Sequence, residues 1–347
     1  SFQVTPPSIT LPKGGGAIRG IGEKFGVNPV TGTGSLTIPI YTSPGRAGFG
    51  PQLSLSYDSG AGNGPFGFGW SLSLPSITRK TDKGLPRYDD AADSDVFILS
   101  GAEDLVPVLV KQGTQWKPET VPPRKVGKET YDIRRYRPRI EGLFARIERW
   151  TNQKNDFDVC WRSISKDNIT TWYGKTAESR IQDPADPSRI FSWLICESYD
   201  DKGNAIRYGY VSEDDRDIDL SLVSERNRST EIRKANRYLK RIQYANRTPR
   251  TVDEDLSTRK DWLLETVFDY DESHYEDVPL RQAVPAADQH QFVLAGIAPG
   301  TAWLVRPDPF STYRASFEVR SYRRCRRVLM FHKFQELGAE PYLVKAT

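Results

Sequence analysis

Leu36, Ile38 and Ile40 alternate with Thr37 and Pro39, and Leu53, Leu55 and Tyr57 alternate with Ser54 and Ser56. Trp70, Leu72 and Leu74 alternate in the same way with Ser71 and Ser73. A period of two with Ser or Thr between apolar residues predicts half-buried β-strands. Thr42-Ser43-Pro44-Gly45 and the run from Ser59 to Pro65 separate these strands, and both are rich in the residues that tight turns use. Further along, Trp262, Leu264, Thr266, Phe268 and Tyr270 alternate with Leu263, Glu265, Val267 and Asp269. Ser198 to Asn204 lies between Trp193-Leu194-Ile195 and Ile206/Tyr208/Tyr210, which predicts a hairpin turn with Gly203 or Asn204 left-handed. A related phrase runs from Tyr238 to Arg247. Pro122-Pro123, Asp183 to Pro187 and Pro307-Asp308-Pro309 read as turns, and Lys333 to Gly338 as a short helical turn. The predicted class is mainly β, antiparallel and curved, with little helix.

Composition divides the chain near residue 79. Residues 1–78 hold 16 of the 27 glycines, and their charges are confined to Lys13, Arg19, Glu23, Lys24, Arg46 and Asp58. Residues 79–347 are charge-rich and glycine-poor. The expected organisation is a Gly-rich β segment (1–78) and a charge-rich β-sheet region (79–347) forming one continuous unit. At 347 residues the chain exceeds the roughly 250–300 at which a single core stops growing. Yet only 37% of it is apolar and its mean hydropathy is −0.59. A wide wall wet on both faces suits that lean core better than a compact sandwich does, but composition leaves both open.

Several classes drop out. No run approaches the roughly 20 apolar residues of a membrane helix. No apolar h-region follows a basic start, so no signal peptide is visible. Cys160, Cys196 and Cys325 are odd in number and far apart, which argues against a disulfide framework. A net charge of +4 does not by itself point to a polyanionic partner.

Motifs with chemical meaning fail on spacing or context. Gly62 to Gly67 matches G-x-G-x-x-G, but Gly67-Phe68-Gly69-Trp70 leads into a strand rather than a helix. Gly174-Lys175-Thr176 resembles the end of a phosphate loop whose required glycine is replaced by Ile169. Asp215, Asp217 and Asp219 open like a calcium loop that then places Leu220 and Arg226 where Gly and Glu belong. His274, His290 and His332 lack zinc spacing. Cys325 with His332 is a conceivable nucleophile pair with no third group. The five arginines between Arg320 and Arg327, with Tyr322 among them, read either as a nucleic-acid surface or as a strand paired with carboxylates; near-neutral total charge favours pairing. Sequons at Asn168, Asn227 and Asn246 carry little weight without a signal peptide. No catalytic, cofactor-binding or metal-binding residues are assigned.

Longer phrases are more specific. They are Leu11-Pro-Lys-Gly-Gly-Gly through Phe25, Gly34-Ser-Leu-Thr-Ile-Pro-Ile40, Gly48 to Tyr57 and Gly67-Phe-Gly-Trp-Ser-Leu72. Asp308-Pro-Phe-Ser-Thr-Tyr-Arg314 and Phe317 to His332 follow later. Together they closely resemble the N-terminal domain shared by the Salmonella virulence plasmid B protein and the B components of bacterial insecticidal toxin complexes (Tc toxins). The resemblance spans Phe2 to about Leu343.

That resemblance implies part of a hollow shell, similar to RHS/YD-repeat proteins, that encloses a cytotoxic enzyme. Tyr199 to Tyr210 looks like one YD-type unit. The implied partners are the C component, which completes the shell, and the pore-forming A component, reached through a β-propeller expected after Thr347. The implied setting is a secreted complex made in the bacterial cytoplasm. The virulence plasmid protein's ADP-ribosylation of actin uses a Ser-Thr-Ser strand and a Glu-x-Glu pair. Neither occurs here, and Ser311-Thr312-Tyr313 is the nearest approach. The expectation is therefore a non-catalytic structural shell segment. The alternatives are a compact β module binding a receptor or glycan, and the delivery half of an actin-modifying toxin.

Overall fold

The computed structural model describes residues 24–27, 32–100, 103–119, 121–139, 146–272, 274–278, 292–295 and 303–347. His290 and most of the Leu11–Phe25 phrase lie outside the described residues. The chain is mainly β, built of curved antiparallel sheets.

A four-stranded sheet in the order β1-β2-β3-β6 comes first, made by β1 (Lys24–Val27), β2 (Gly34–Ile40) and β3 (Leu53–Asp58). A small ribbon of β4 (Asn63–Gly64) and β5 (Gly67–Phe68) leads into its last strand, β6 (Trp70–Leu72). The Gly62–Gly67 motif thus forms a ribbon turn that feeds a strand. Gly69 (φ +80) closes against Tyr57, where a side chain would not fit.

The large sheet starts with β7 (Ser76–Arg79), β8 (Phe97–Leu99) and β9 (Glu103–Pro107). A separate ribbon of β10 (Leu109–Gln112) and β11 (Gln115–Pro118) precedes β12 (Val121–Val126) and β13 (Glu129–Pro138). Then come β14 (Arg146–Asn152), β15 (Asn155–Ile164), β16 (Thr170–Tyr173), β17 (Arg180–Gln182), β18 (Ile190–Tyr199) and β19 (Ala205–Ser212). One turn of helix, α1 (Thr230–Arg233), precedes β20 (Arg237–Asn246) and β21 (Trp262–Asp269). Two ribbons, β22 (Tyr275–Val278) with β23 (Phe292–Ala295) and β24 (Phe310–Thr312) with β25 (Val319–Ser321), separate these from β26 (Arg327–His332) and β27 (Tyr342–Ala346).

Strand order shows how the sheet curves. β16 pairs with both β15 and β18, so β16-β15-β14-β13-β9-β8-β7-β18 closes into an eight-stranded ring. Such a ring is just wide enough to be filled by its own inward side chains. Phe97, Tyr136, Trp161 and Trp193 fill it, in edge-on or tilted contacts with centroids 4.9–6.0 Å apart. From β18 a wing, β19-β20-β21-β26-β27, extends beyond the ring. Ile40 and Leu53 of the first sheet share one core with Ile206, Tyr244, Leu264 and Met330 of this wing. Tyr244 donates to the Ser43 carbonyl at 2.7 Å, and Ser43 Oγ meets His332 Nε2 at 2.7 Å.

A sheet wet on both faces is therefore not what forms. β21 is buried along both of its sides, with Leu264 and Phe268 in the main core and Val267 packed against Leu329 and Phe331 opposite. Pro122-Pro123 is not a turn either. Both prolines sit in β12, which among the described residues pairs only with β13 and shifts register between Val121 and Arg124. An edge strand tolerates residues that cannot donate. The Ser198–Asn204 hairpin forms with Gly203 as its left-handed residue (φ +82), and Lys333–Gly338 contains a 3₁₀ turn over Gln335–Leu337.

Candidate functional site: the charged outer face and its aromatic groove

Alternation along β14, β15 and β16 sends Ile147, Trp161 and Tyr173 into the ring and Glu148, Trp150, Cys160, Arg162 and Trp172 outward. Direct cross-strand partners on that outer face run Arg135, Glu148, Arg162, Trp172 and Glu197. The rung continues onto the wing through Arg207, Gln243 and Glu265. Opposite charges in directly facing positions stabilise a sheet, and this rung alternates them over much of its length.

The carboxylates here are buried and served by several donors. Glu148 is 0% exposed and accepts from Arg146 Nε (2.5 Å), Arg162 Nε (2.9 Å) and Trp150 Nε1 (2.9 Å). Burial opposes its ionisation, but Arg162, the Trp150 hydrogen bond and Arg146 outweigh burial and hold the carboxyl below its ordinary value. Glu265 is 0% exposed and is held by Arg241 and Lys333. Lys175 Nζ donates to both oxygens of Glu197 at 3.1 and 2.9 Å.

Beside this rung lies a groove of about 530 Å³ with Trp150, Cys160 and Trp172 on its floor. The Arg162 guanidinium sits 4.7 Å from the Trp150 ring and 5.5 Å from the Trp172 ring. Trp172 Nε1 donates to Tyr199 Oη at 3.1 Å, and Arg250 stacks on Tyr199 at 3.6 Å. Arg124 and Lys125 from β12 form one wall, and Asp253 and Glu254 stand near Arg250 on the other. Reading along the chain does not single out this groove, although Glu148-x-Trp150, Cys160-x-Arg162 and Trp172 all fall at strand spacing.

The motifs flagged in the sequence are structural. Among the five arginines, Arg323 is buried with Glu213 (2.8 Å), Arg320 meets Glu225, Arg326 meets Asp271, and Arg327 meets Asp269 and Asp271. Burial outweighs Arg323 at Glu213 and raises that carboxyl. Asp215, Asp217 and Asp219 serve Thr230, the Val305 amide and Ser221 respectively, and do not converge. Gly174 (φ +64) lies against Trp193, and Lys175 is held by Glu197, so this turn is used for packing. His332 bonds Ser43. Asn246 is buried, donating to the carbonyls of Gly203 and Thr248, whereas Asn168 and Asn227 are exposed. Ser311 and Tyr313 both donate to Glu318. Asp269, Glu272 and His274 bring ligand atoms within 4.8 Å of one another, but Lys240 Nζ already occupies a Glu272 oxygen by donating to it.

Residues 28–334 match the family described as SpvB, Salmonella virulence plasmid 65kDa B protein. This chain belongs to the SpvB family. The mono(ADP-ribosyl)transferases SpvB of Salmonella choleraesuis (strain SC-B67) and Salmonella dublin are each 39% identical to it over 350 residues, 98% of this chain and 53% of theirs. The chain thus spans about half the length of these curated relatives. The N-terminal domain of effector protein SpvB from Salmonella typhimurium strain LT2 superposes with a TM-score of 0.69 at 37% identity, covering 89% of this chain and 92% of that one. The matched part of SpvB is this N-terminal domain, not the catalytic domain. The crystal structure of TcdB2-TccC3 gives a TM-score of 0.76 at 32% identity, covering 99% of this chain and 16% of that one. The Photorhabdus luminescens Tc holotoxin pore gives 0.76 at 31% identity, covering 99% and 15%. The similar solved structures thus include an SpvB domain and components of Tc toxin complexes.

Proposed function

We propose that this chain is a non-catalytic wall segment of a bacterial toxin-delivery shell that helps enclose a cytotoxic cargo enzyme. The observation that carries the reading is the superposition of 99% of the chain on TcdB2-TccC3 with a TM-score of 0.76. The site chemistry agrees with it. Carboxylates and arginines of the outer face and of the 320–327 run neutralise one another, which favours a wall over a centre for turnover. In this reading residues 1–78 and 79–347 act as one unit, a C component completes the shell, an A component forms the pore, and the assembly is secreted. Mixing the chain with the remainder of a B–C pair and adding protease tests it: the cargo is expected to become resistant. Digestion at the rate seen without this chain would overturn the assignment. ADP-ribosyl transfer to actin by this chain alone is expected to be absent.

A second reading, a compact β module that recognises a receptor or glycan, draws on the aromatic groove. Such a module would bind its ligand without any shell component present.

A further inference from the structure

Most charge on this protein is spent internally, and the groove beside Trp150 and Trp172 departs from that rule. Its lining contains the cations Arg124, Lys125, Arg162, Lys175 and Arg250 and the carboxylates Asp253 and Glu254. Arg162 is neutralised by Glu148, Lys175 by Glu197 and Glu254 by Arg259. That leaves Arg124, Lys125 and Arg250 facing Asp253. Among the described residues no carboxylate lies at ion-pair distance from any of those three cations, and the buried Nε of Arg250 has no acceptor. The three cations stand on two sides of an aromatic floor, Arg124 and Lys125 on β12 and Arg250 on the loop after β20.

We propose that this groove binds an acidic segment of another polypeptide, whose carboxylates meet Arg124, Lys125 and Arg250 while its backbone runs between β12 and the loop after β20. The volume lies within the few hundred Å³ typical of ligand sites. Guanidinium groups pair carboxylates in bidentate geometry, and Arg124 and Arg250 offer two of them. Cations split between two walls suit a ligand with spaced charges. Single-stranded nucleic acid stacks its bases on open aromatic faces, and here Trp150 and Trp172 are buried beneath Arg162, so the groove favours a peptide. This inference does not depend on the shell assignment, because it rests on charges and walls of this chain alone.

The test is fluorescence anisotropy with a labelled peptide of alternating glutamate and glycine, the same peptide with lysine for glutamate, and a labelled oligothymidylate. The glutamate peptide is expected to bind, more weakly as salt rises, and the lysine peptide is not. The triple variant R124Q/K125Q/R250Q is expected to lose about tenfold or more in affinity, a step of about 1.4 kcal/mol, with its thermal melt unchanged because these side chains are exposed or half-buried. No binding of the glutamate peptide, equal binding by the triple variant, or tighter binding of the oligothymidylate would each overturn the proposal. If the triple variant melts early, R124Q/K125Q, confined to exposed β12 positions, decides instead by the same criterion.

Discussion

Glu148 and Arg162 face each other directly across β14 and β15, with the carboxylate wholly out of water and the guanidinium resting between two indole rings. Three donors converge on that one carboxylate. Removing it leaves Arg162 desolvated without a counter-charge. Glu148→Gln is therefore expected to destabilise the fold by about 3–5 kcal/mol, read as a shift of the urea midpoint. Replacing both partners with apolar residues (Glu148→Leu with Arg162→Met) is expected to cost less than Glu148→Gln alone, since no charge is then stranded.

Two tryptophans that look alike in the sequence should respond differently. Trp262 is 3% exposed, packs on Ala205 and Leu256, and donates Nε1 to the Arg259 carbonyl at 3.0 Å. Trp70 is half-buried against Tyr57. Trp262→Ala is expected to cost about 3–5 kcal/mol, and Trp70→Ala roughly 1–3 kcal/mol. Calorimetric melting of both variants checks the ranking, and equal losses would contradict the burial difference.

Gly174 is needed twice over. Its φ is +64, and a Cβ there would lie 2.3 Å from Cδ1 of Trp193, which is itself fully buried inside the ring. Gly174→Ala is expected to destabilise by about 2–4 kcal/mol through combined strain and overpacking. A thermal melt within a degree or so of the parent would refute this.

The three thiols should be inert. Burial pushes Cys160, Cys196 and Cys325 up to about 12, so almost no thiolate is present at neutral pH. β16 lies between the strands of Cys160 and Cys196, which sets their Cα atoms roughly 9–10 Å apart by strand spacing, beyond disulfide reach. Dithiothreitol is expected to leave the melting temperature unchanged. An aromatic disulfide reagent is expected to leave the buried Cys160 and Cys196 unlabelled until denaturant is added.

Acid should unfold the protein from a defined point. In Asp90, Glu148, Asp158 and Glu225, burial opposes ionisation, but neighbouring arginines and hydrogen bonds outweigh it and lower all four carboxyls. A lowered carboxyl contributes stability that is present above its unfolded value and lost as pH falls through the folded one. Glu213, raised by burial, acts in the opposite sense. The lowered carboxyls, which also include Asp214, Asp261 and Glu318, outnumber Glu213, so stability is predicted to decline as pH drops below about 4.5, measurable as a falling urea midpoint. A midpoint that stays flat or rises from pH 4.5 to 3 would contradict the assignment.

The β class, the Tyr199–Tyr210 hairpin and the pairing of the Arg320–Arg327 run were all legible from local pattern. Gly203 takes the left-handed turn position, and carboxylates that neutralise Arg320, Arg323, Arg326 and Arg327 are where overall neutrality implied some must be. Ring closure was not legible, because it depends on β16 meeting β18 across a register shift that no local window records. The outer rung was hidden for a related reason. Arg135, Glu148 and Glu265 each look like solvent-facing strand residues, and only the non-local register reveals that Glu148 and Glu265 are sealed among basic neighbours. Pro122-Pro123 misled because the turn preference of proline is local, whereas its tolerance at a sheet edge depends on topology.

The alternating rung also shapes what the exterior offers to a passing chain. Most of its fixed charges are cancelled within a few ångströms by a neighbour, so the electrical potential dies away a short distance above the surface. Long-range attraction for a charged chain of either sign is correspondingly weak over this face, and is left to the few places where the cancellation fails.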